Sequence, residues 1–353
     1  MKNFKYILSV AVATAALASC GKEEALVLQN SDPEYIAGRF DAQYYQNLRD
    51  FKESDHAITY IYYAAYSTLE GASSLYKIPT SMSERFIGLP DSLDFVNLWM
   101  GVPSGNPADE YNYSPVAYED MQFCRSQKGT KFLMHGDASH DWTITLADGT
   151  EATLYSGNDE AMQIYAQNIL DTIYDNDIDG VDIDFEGWSS SLLTKLVLIL
   201  GEKIGPKGSD PSKYLVVDYF GSAPSGDIDE YVNFVVRQAY SPQIGNRYST
   251  LLSRPGWLAP EKYVICEQWN DCRNMGMTQG YTPYYGYNGE VLKTYDASGT
   301  GSDMASLEAY ARFCLDGNAH GFGGYYMDSD YFYTAGPYYN LRRCIQIANP
   351  SIK

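Results

Sequence analysis

Read as a pattern of apolar and polar positions, the chain alternates β-rich runs with helical spacings almost from end to end. Strands are predicted at 56–66, 93–100 and 131–134, the last running into His135-Gly136-Asp137, and then at 179–186, 214–220, 232–240, 262–269 and 321–328. Most of these are runs of Val, Ile, Tyr, Phe and Thr bounded by turn formers. Between the third and fourth, Met162, Tyr165, Ile169 and Ile173 recur at helical spacing behind a capping Asn158; after the fourth, Leu192, Leu193, Leu196, Val197 and Leu200 repeat the pattern. A short helix is predicted over 41–51. No linker is long enough to divide the series. Strand alternating with helix argues for a parallel sheet with crossover helices, so the fold class is α/β. Eight such units argue for a closed TIM (β/α)8 barrel, with an open doubly wound sheet as the alternative. The 353 residues suit one barrel of about 250 residues plus extensions, hence a single catalytic domain.

The fourth strand departs from the pattern. In Asp179-Gly180-Val181-Asp182-Ile183-Asp184-Phe185-Glu186, side-chain alternation puts Asp182, Asp184 and Glu186 on one face and Val181, Ile183 and Phe185 on the other. A strand buried on both sides is normally apolar throughout, and desolvating carboxylates is costly unless they are paired, hydrogen-bonded or protonated. Crowded carboxylates also push one another's pKa values apart, so that one can stay protonated while its neighbours stay charged. A solvated edge strand would not carry bulky apolar residues between its acids, and a calcium loop would show an EF-hand-like pattern, which is absent. The remaining reading is acid/base catalysis.

Asp179, Asp182, Asp184 and Glu186 fit the DxxDxDxE signature, and in this the chain resembles glycoside hydrolase family 18, the family of chitinases and of endo-β-N-acetylglucosaminidases. The resemblance implies a TIM barrel with this segment as its fourth strand, Glu186 as general acid/base and Asp182 as a further catalytic acid. It also implies substrate assistance: the 2-acetamido oxygen of the sugar attacks its own anomeric carbon, and Asp184 orients and stabilises the resulting oxazolinium. Tyr44-Tyr45-Gln46-Asn47-Leu48-Arg49, Leu89-Pro90-Asp91-Ser92-Leu93-Asp94-Phe95 and Gln127-Lys128-Gly129-Thr130-Lys131 resemble segments of Bacteroidetes N-glycan endoglycosidases more than of chitinases. At the end of the sixth strand Gln238 and Tyr240 share parity with Phe234 and Val236 and can point into the barrel mouth, where such barrels keep their sites. The family makes Tyr240 the hydroxyl that bonds the acetamido group.

Chitinases usually carry a Trp at the eighth strand, whereas this chain has Gly323-Gly324-Tyr325-Tyr326-Met327-Asp328, with Tyr326 as the candidate replacement. It also lacks their Ser-x-Gly-Gly segment at the third strand. Asp179, Gln238, Trp99, Trp188, Trp269 and Tyr326 are the substrate-binding candidates, the tryptophans through loops that would shape outer sugar subsites or, equally, through packing. The chain has 33 tyrosines, whose flat apolar faces and hydroxyls suit sugars.

A formal net charge of −20 argues against nucleic-acid partners. The four histidines, His56, His135, His140 and His320, show no zinc spacing; no metal and no cofactor is expected. Lys2 and Lys5 followed by an apolar run over 6–17 read as a secretory signal, and Leu17-Ala18-Ser19-Cys20 resembles a bacterial lipobox. The expected layout is a signal peptide over 1–19, a tether lipidated at Cys20 over 20–37, and the barrel over 38–353. Gly21-Lys22-Glu23-Glu24 is similar to the export signal of Bacteroidetes surface lipoproteins, so the expected place is the outer membrane, facing outward. The other five cysteines cannot all pair, and no disulfide framework is expected. With these features, the resemblance implies a monomeric surface endo-β-N-acetylglucosaminidase acting on the N-glycans of glycoproteins. The alternatives are a chitinase and a non-catalytic surface glycan-binding protein.

Overall fold

The alternation closes into a barrel. The computed structural model describes residues 40–64, 82–240, 253–269, 306–332 and 336–351. In chain order the elements are α1 (Ala42–Glu53), β1 (Ile58–Tyr62), β2 (Phe95–Leu98), α2 (Pro115–Phe123), β3 (Lys131–Asp137), β4 (Thr143–Thr145), β5 (Glu151–Thr153), α3 (Asp159–Asp175), β6 (Gly180–Phe185), α4 (Ser190–Gly201), β7 (Tyr214–Tyr219), β8 (Phe234–Gln238), β9 (Tyr263–Gln268), α5 (Ser306–Leu315), β10 (Gly321–Tyr325) and α6 (Tyr339–Ala348). Strands β1, β2, β3, β6, β7, β8, β9 and β10 pair in parallel around a closed ring, with β10 returning to β1. The sheet is therefore not the open doubly wound alternative. Strands β4 and β5 form a separate antiparallel hairpin.

All eight barrel strands fall within the predicted windows. The predicted helices are present as α1, α3 and α4. Asn158 caps α3, its Oδ1 accepting from Ala161 N at 3.0 Å, and Ser189 caps α4 in the same way through Leu192 N. Leu193, Leu196, Val197 and Leu200 of α4 are wholly buried against the sheet; each contributes on the order of 1.5–3 kcal/mol. The signal, Cys20 and its tether, and Cys272 lie outside the described residues. Cys124, Cys266, Cys314 and Cys344 are free and buried.

Inward side chains fill the barrel as layers rather than lining a pore. Near the N-terminal ends of the strands, Phe95, Tyr214 and Phe234 form an aromatic plug: Phe95 meets Tyr214 and Phe234 edge-on with centroids 5.0 and 5.5 Å away, and His320 stacks on Phe234 at 5.4 Å. Gly180, which opens the acidic strand, has φ +149 and runs so close to β7 that a Cβ would lie 2.1 Å from the Tyr214 carbonyl oxygen. Only glycine combines that backbone with that approach.

The three segments that resemble endoglycosidases meet at this N-terminal end. Tyr44 Oη donates to Asp91 Oδ2 at 2.6 Å. Lys128 Nζ pairs with Asp91 Oδ1 at 2.7 Å, and Arg49 donates to the Gln127 carbonyl at 2.8 Å. They form a frame beneath the barrel, away from the strand ends where TIM-barrel sites sit.

Candidate active site

Strand β6 lies between β3 and β7, with Asp182 opposite His135 and Asp184 opposite Asp137 on one side and Asp218 on the other. Asp182 is fully buried, and its Oδ2 accepts from Tyr60 Oη at 2.6 Å, Tyr62 Oη at 3.0 Å and Asn97 Nδ2 at 2.9 Å. Burial pushes its pKa up, and these donors oppose the shift. Asp184 sits one layer nearer the mouth, where its Oδ1 accepts from Gln238 Nε2 at 3.0 Å and its Oδ2 lies 3.6 Å from His135 Nε2. Burial first, and then the charges of Glu186 and Asp182, raise its pKa to about 6, against a hydrogen bond from Asp218. His135 is kept neutral, burial driving its pKa down to about 4. Glu186 follows the last residue of β6 and is exposed, free to meet a substrate from above.

Sequence reasoning missed Asp218, Tyr60, Tyr62, Asn97 and His135. Asp218 is fully buried; its Oδ2 meets Tyr62 Oη at 2.6 Å and its Oδ1 accepts from Gln238 Nε2 at 3.0 Å. A signal was available, because Asp218 has the inward parity of Tyr214 and Val216 and is the one acid in an otherwise apolar and aromatic strand. Among the described residues no Lys or Arg pairs with Asp182, Asp184 or Asp218. Each is held by phenols, amides or the neutral imidazole.

Above the acids stands an aromatic wall. Tyr240 and Tyr325 stack with centroids 6.1 Å apart, Phe220 stacks on Tyr240 at 5.9 Å, and Trp99 meets Tyr325 edge-on at 4.8 Å. Burial holds the Tyr240 hydroxyl well above its usual pKa, so it remains a donor. At the eighth barrel strand, Tyr325 takes the inward position expected of Tyr326. Tyr326 follows it with φ +58, a strained backbone for a bulky residue, and packs on Tyr325 and Trp99 at 4.2 and 5.4 Å.

The remaining candidates lie elsewhere. Asp179 precedes β6 at the opposite end of the barrel, accepting from Arg125 Nε at 2.8 Å and Phe132 N at 2.8 Å. Its carboxylate joins β3 to β6 and is out of reach of a ligand at the mouth. Gln238 spends both amide hydrogens on Asp184 and Asp218, so it orients acids rather than presenting a free amide to sugar. Trp188 is 5 % exposed, with Nε1 donating to the His140 carbonyl at 2.8 Å, and Trp269 is wholly buried. Neither offers a face to an outer subsite. Trp99 alone of the three remains partly open at the mouth. No group of three or more His, Cys, Asp or Glu among the described residues could hold a metal.

Carboxylates that share burial without cations, set beneath stacked tyrosines at the open end of a (β/α)8 barrel, suit acid/base cleavage of a neutral, ring-shaped substrate. That is the chemistry of glycoside hydrolases. The model of glycoside hydrolase family 18, BT1044-like, matches residues 23–347, and the chain belongs to that family. It is 28 % identical over 282 residues to endo-β-N-acetylglucosaminidase F2 of Elizabethkingia meningoseptica, covering 75 % of this chain and 74 % of that protein. Among solved structures, the endo-β-N-acetylglucosaminidase of Cordyceps militaris in complex with fucosyl-N-acetylglucosamine-Asn superposes with a TM-score of 0.60 at 19 % identity, over 87 % of this chain and 95 % of that one. A BT1044 variant superposes with a TM-score of 0.61 at 20 % identity, over 89 % and 95 %.

Proposed function

We propose that this chain, an endo-β-N-acetylglucosaminidase of family 18, hydrolyses the GlcNAcβ1-4GlcNAc bond in the core of N-glycans on glycoproteins, by substrate-assisted catalysis with retention. The observation that carries the reading is Asp184, poised at a pKa of about 6 between the buried acids Asp182 and Asp218 and the exposed Glu186. At that value the carboxyl is largely ionised near neutral pH and steadies positive charge as it develops beside it. An oxazolinium formed by the substrate's own acetamido group is such a charge. Glu186, open to the mouth, donates a proton to the leaving oxygen and then takes one from the attacking water. Two displacements at the anomeric carbon, the first by the acetamido oxygen and the second by water, return the β configuration. The Tyr240 hydroxyl bonds the acetamido group, and Tyr325 with Trp99 gives the sugar an apolar face.

The N-glycan core is favoured over chitin by the mouth itself, which presents tyrosines where a chitin groove would need a row of tryptophans; two of the three candidate tryptophans are sealed inside. The names of the relatives point the same way: one is an endo-β-N-acetylglucosaminidase and another was captured with fucosyl-N-acetylglucosamine-Asn. Lipidation at Cys20 and outward display on the outer membrane complete the proposal, resting on the Leu17-Ala18-Ser19-Cys20 pattern and the acidic residues after it. A Cys20→Ala variant that stays in the membrane fraction would remove that part. For the reaction, an N-glycosylated protein and chitin oligomers are offered in parallel and the peptide is weighed by mass spectrometry. A single HexNAc left on Asn supports the reading. Intact glycopeptide beside shortened chitin oligomers hands the function to a chitinase, and binding without cleavage of either substrate hands it to a glycan-binding protein.

A further inference from the structure

The hydrogen atoms available to the buried acids do not cover their contacts unless one carboxyl brings its own. Tyr62 Oη lies 3.0 Å from Asp182 Oδ2 and 2.6 Å from Asp218 Oδ2, yet a phenol has one hydrogen to give. The second contact needs a hydrogen from a carboxyl. Asp182 is the less suited source, because the same Oδ2 already accepts from Tyr60 Oη at 2.6 Å and Asn97 Nδ2 at 2.9 Å. The donor is therefore on Asp218. Its other oxygen accepts from Gln238 Nε2 at 3.0 Å, as the carbonyl oxygen of a neutral acid would, while the second hydrogen of that amide goes to Asp184.

We propose that Asp218 is a positioning residue that works as a permanently neutral acid, its own proton held among Tyr62, Asp182 and Asp184 so that Asp184, its neighbour across the β6–β7 pairing, can carry charge without a second anion beside it. The proposal rests on the glycosidase reading for its purpose but not for its proton count. Most titratable groups that the structure turns toward Asp218 oppose its ionisation, though the hydrogen bond with Tyr62 works the other way. Asp182 and Asp184 on β6 are acids, Tyr60 and Tyr62 on β1 and Tyr240 beyond β8 are phenols, and Cys266 on β9 is a buried thiol. Burial, followed by the charges of Asp182 and Asp184, drives the Asp218 pKa well above the carboxylate range. No proton leaves Asp218 during the cycle. It fixes the geometry and the charge of the acids that do react.

The test compares Asp218→Asn with Asp218→Ala in the full chain. Asn keeps a carbonyl to accept from Gln238 and an N–H to donate to Tyr62, so Asp218→Asn should hold kcat within about threefold of wild type. Asp218→Ala should lose kcat about 100-fold with KM little changed. A loss of more than tenfold in Asp218→Asn, or full activity in Asp218→Ala, overturns the assignment. A second measurement needs no activity and stands even if the Ala variant fails to fold or the chain proves not to be a glycosidase. A neutral buried acid destabilises the fold progressively as pH rises above its unfolded pKa, up to its folded one. The melting temperature of Asp218→Asn should therefore gain on wild type by about 4 °C between pH 6 and pH 8. The gain from Asp184→Asn should level off near pH 6, the value of that group. A gap for Asp218→Asn that is the same at pH 6 and pH 8 would mean that Asp218 is ionised, and the proposal fails.

Discussion

At the N-terminal end of the barrel three acids have basic partners: Asp179 meets Arg125 at 2.8 Å, Asp91 meets Lys128 at 2.7 Å and Asp94 meets His56 at 3.0 Å. At the C-terminal end Asp182, Asp184 and Asp218 have Tyr60, Tyr62, Asn97, Gln238 and a neutral His135 instead. A cation fixes a carboxylate in its charged form and makes it inert. Phenols and amides hold a carboxyl in place while leaving its proton negotiable. One end of the barrel thus fixes its acids in one charge state, and the proposed reaction draws on the other.

The two ends differ most at Glu186, which belongs to the proposed reactive end yet is exposed. Glu186→Gln should lower kcat by about 10²–10⁴-fold while leaving glycan binding and melting temperature near wild type. Turnover close to wild type would remove Glu186 from the acid/base role. At the other end, Asp179→Asn leaves Arg125, 14 % exposed, without its main partner. The expected cost is about 3 kcal/mol of stability, with KM unchanged. A rise in KM at full stability would return Asp179 to the substrate.

Asp184→Asn separates the two ends through pH. The folded pKa of Asp184 is about 6, above the ordinary carboxylate value, so the folded state binds more protons than the unfolded chain between those two values. Stability contributed by this residue is therefore lost as pH rises through that window, by up to about 3 kcal/mol above pH 6. Asp184→Asn should gain on wild type between pH 4 and pH 6 in denaturant titrations. A gain at the acid end instead would mean that Asp184 is held as an anion, like the acids below.

What the sequence made legible follows the same division. The barrel strands were readable because Tyr, Val and Ile alternate with breakers at each of them, and the acidic strand because three acids share one parity. Helices α2, α5 and α6 were not, since segments such as Tyr339–Ala348 mix Tyr, Asn, Arg and Gln with their apolar residues and blur the period. The acids of β6 could be assigned to the site from their own strand. Their supports could not, because Tyr60, Tyr62, Asn97 and Gln238 reach Asp182 and Asp184 from three other strands, and only closure of the barrel brings them together. Trp188 and Trp269 were ambiguous for a related reason: a Trp at a strand end can turn either way, and both turn in.

The smallest effect is expected at Tyr240, where the aromatic wall meets the acids. Tyr240→Phe keeps the ring, and with it the stacking on Tyr325 at 6.1 Å and on Phe220 at 5.9 Å, so fold and sugar contact should persist. Only the hydroxyl is lost. One hydrogen bond is worth about 0.5–1.5 kcal/mol, which corresponds to roughly a threefold to tenfold loss. If that bond strengthens as the acetamido oxygen attacks, the loss falls on kcat, with KM steady. If the hydroxyl binds ground state and transition state alike, KM rises and kcat does not move. Steady-state kinetics on a single defined glycopeptide separate the two, and NMR of the first product adds an independent check: β anomer before mutarotation fits a wall that supports the acetamido group, whereas α anomer would mean that water attacks directly and that the tyrosines only hold the sugar.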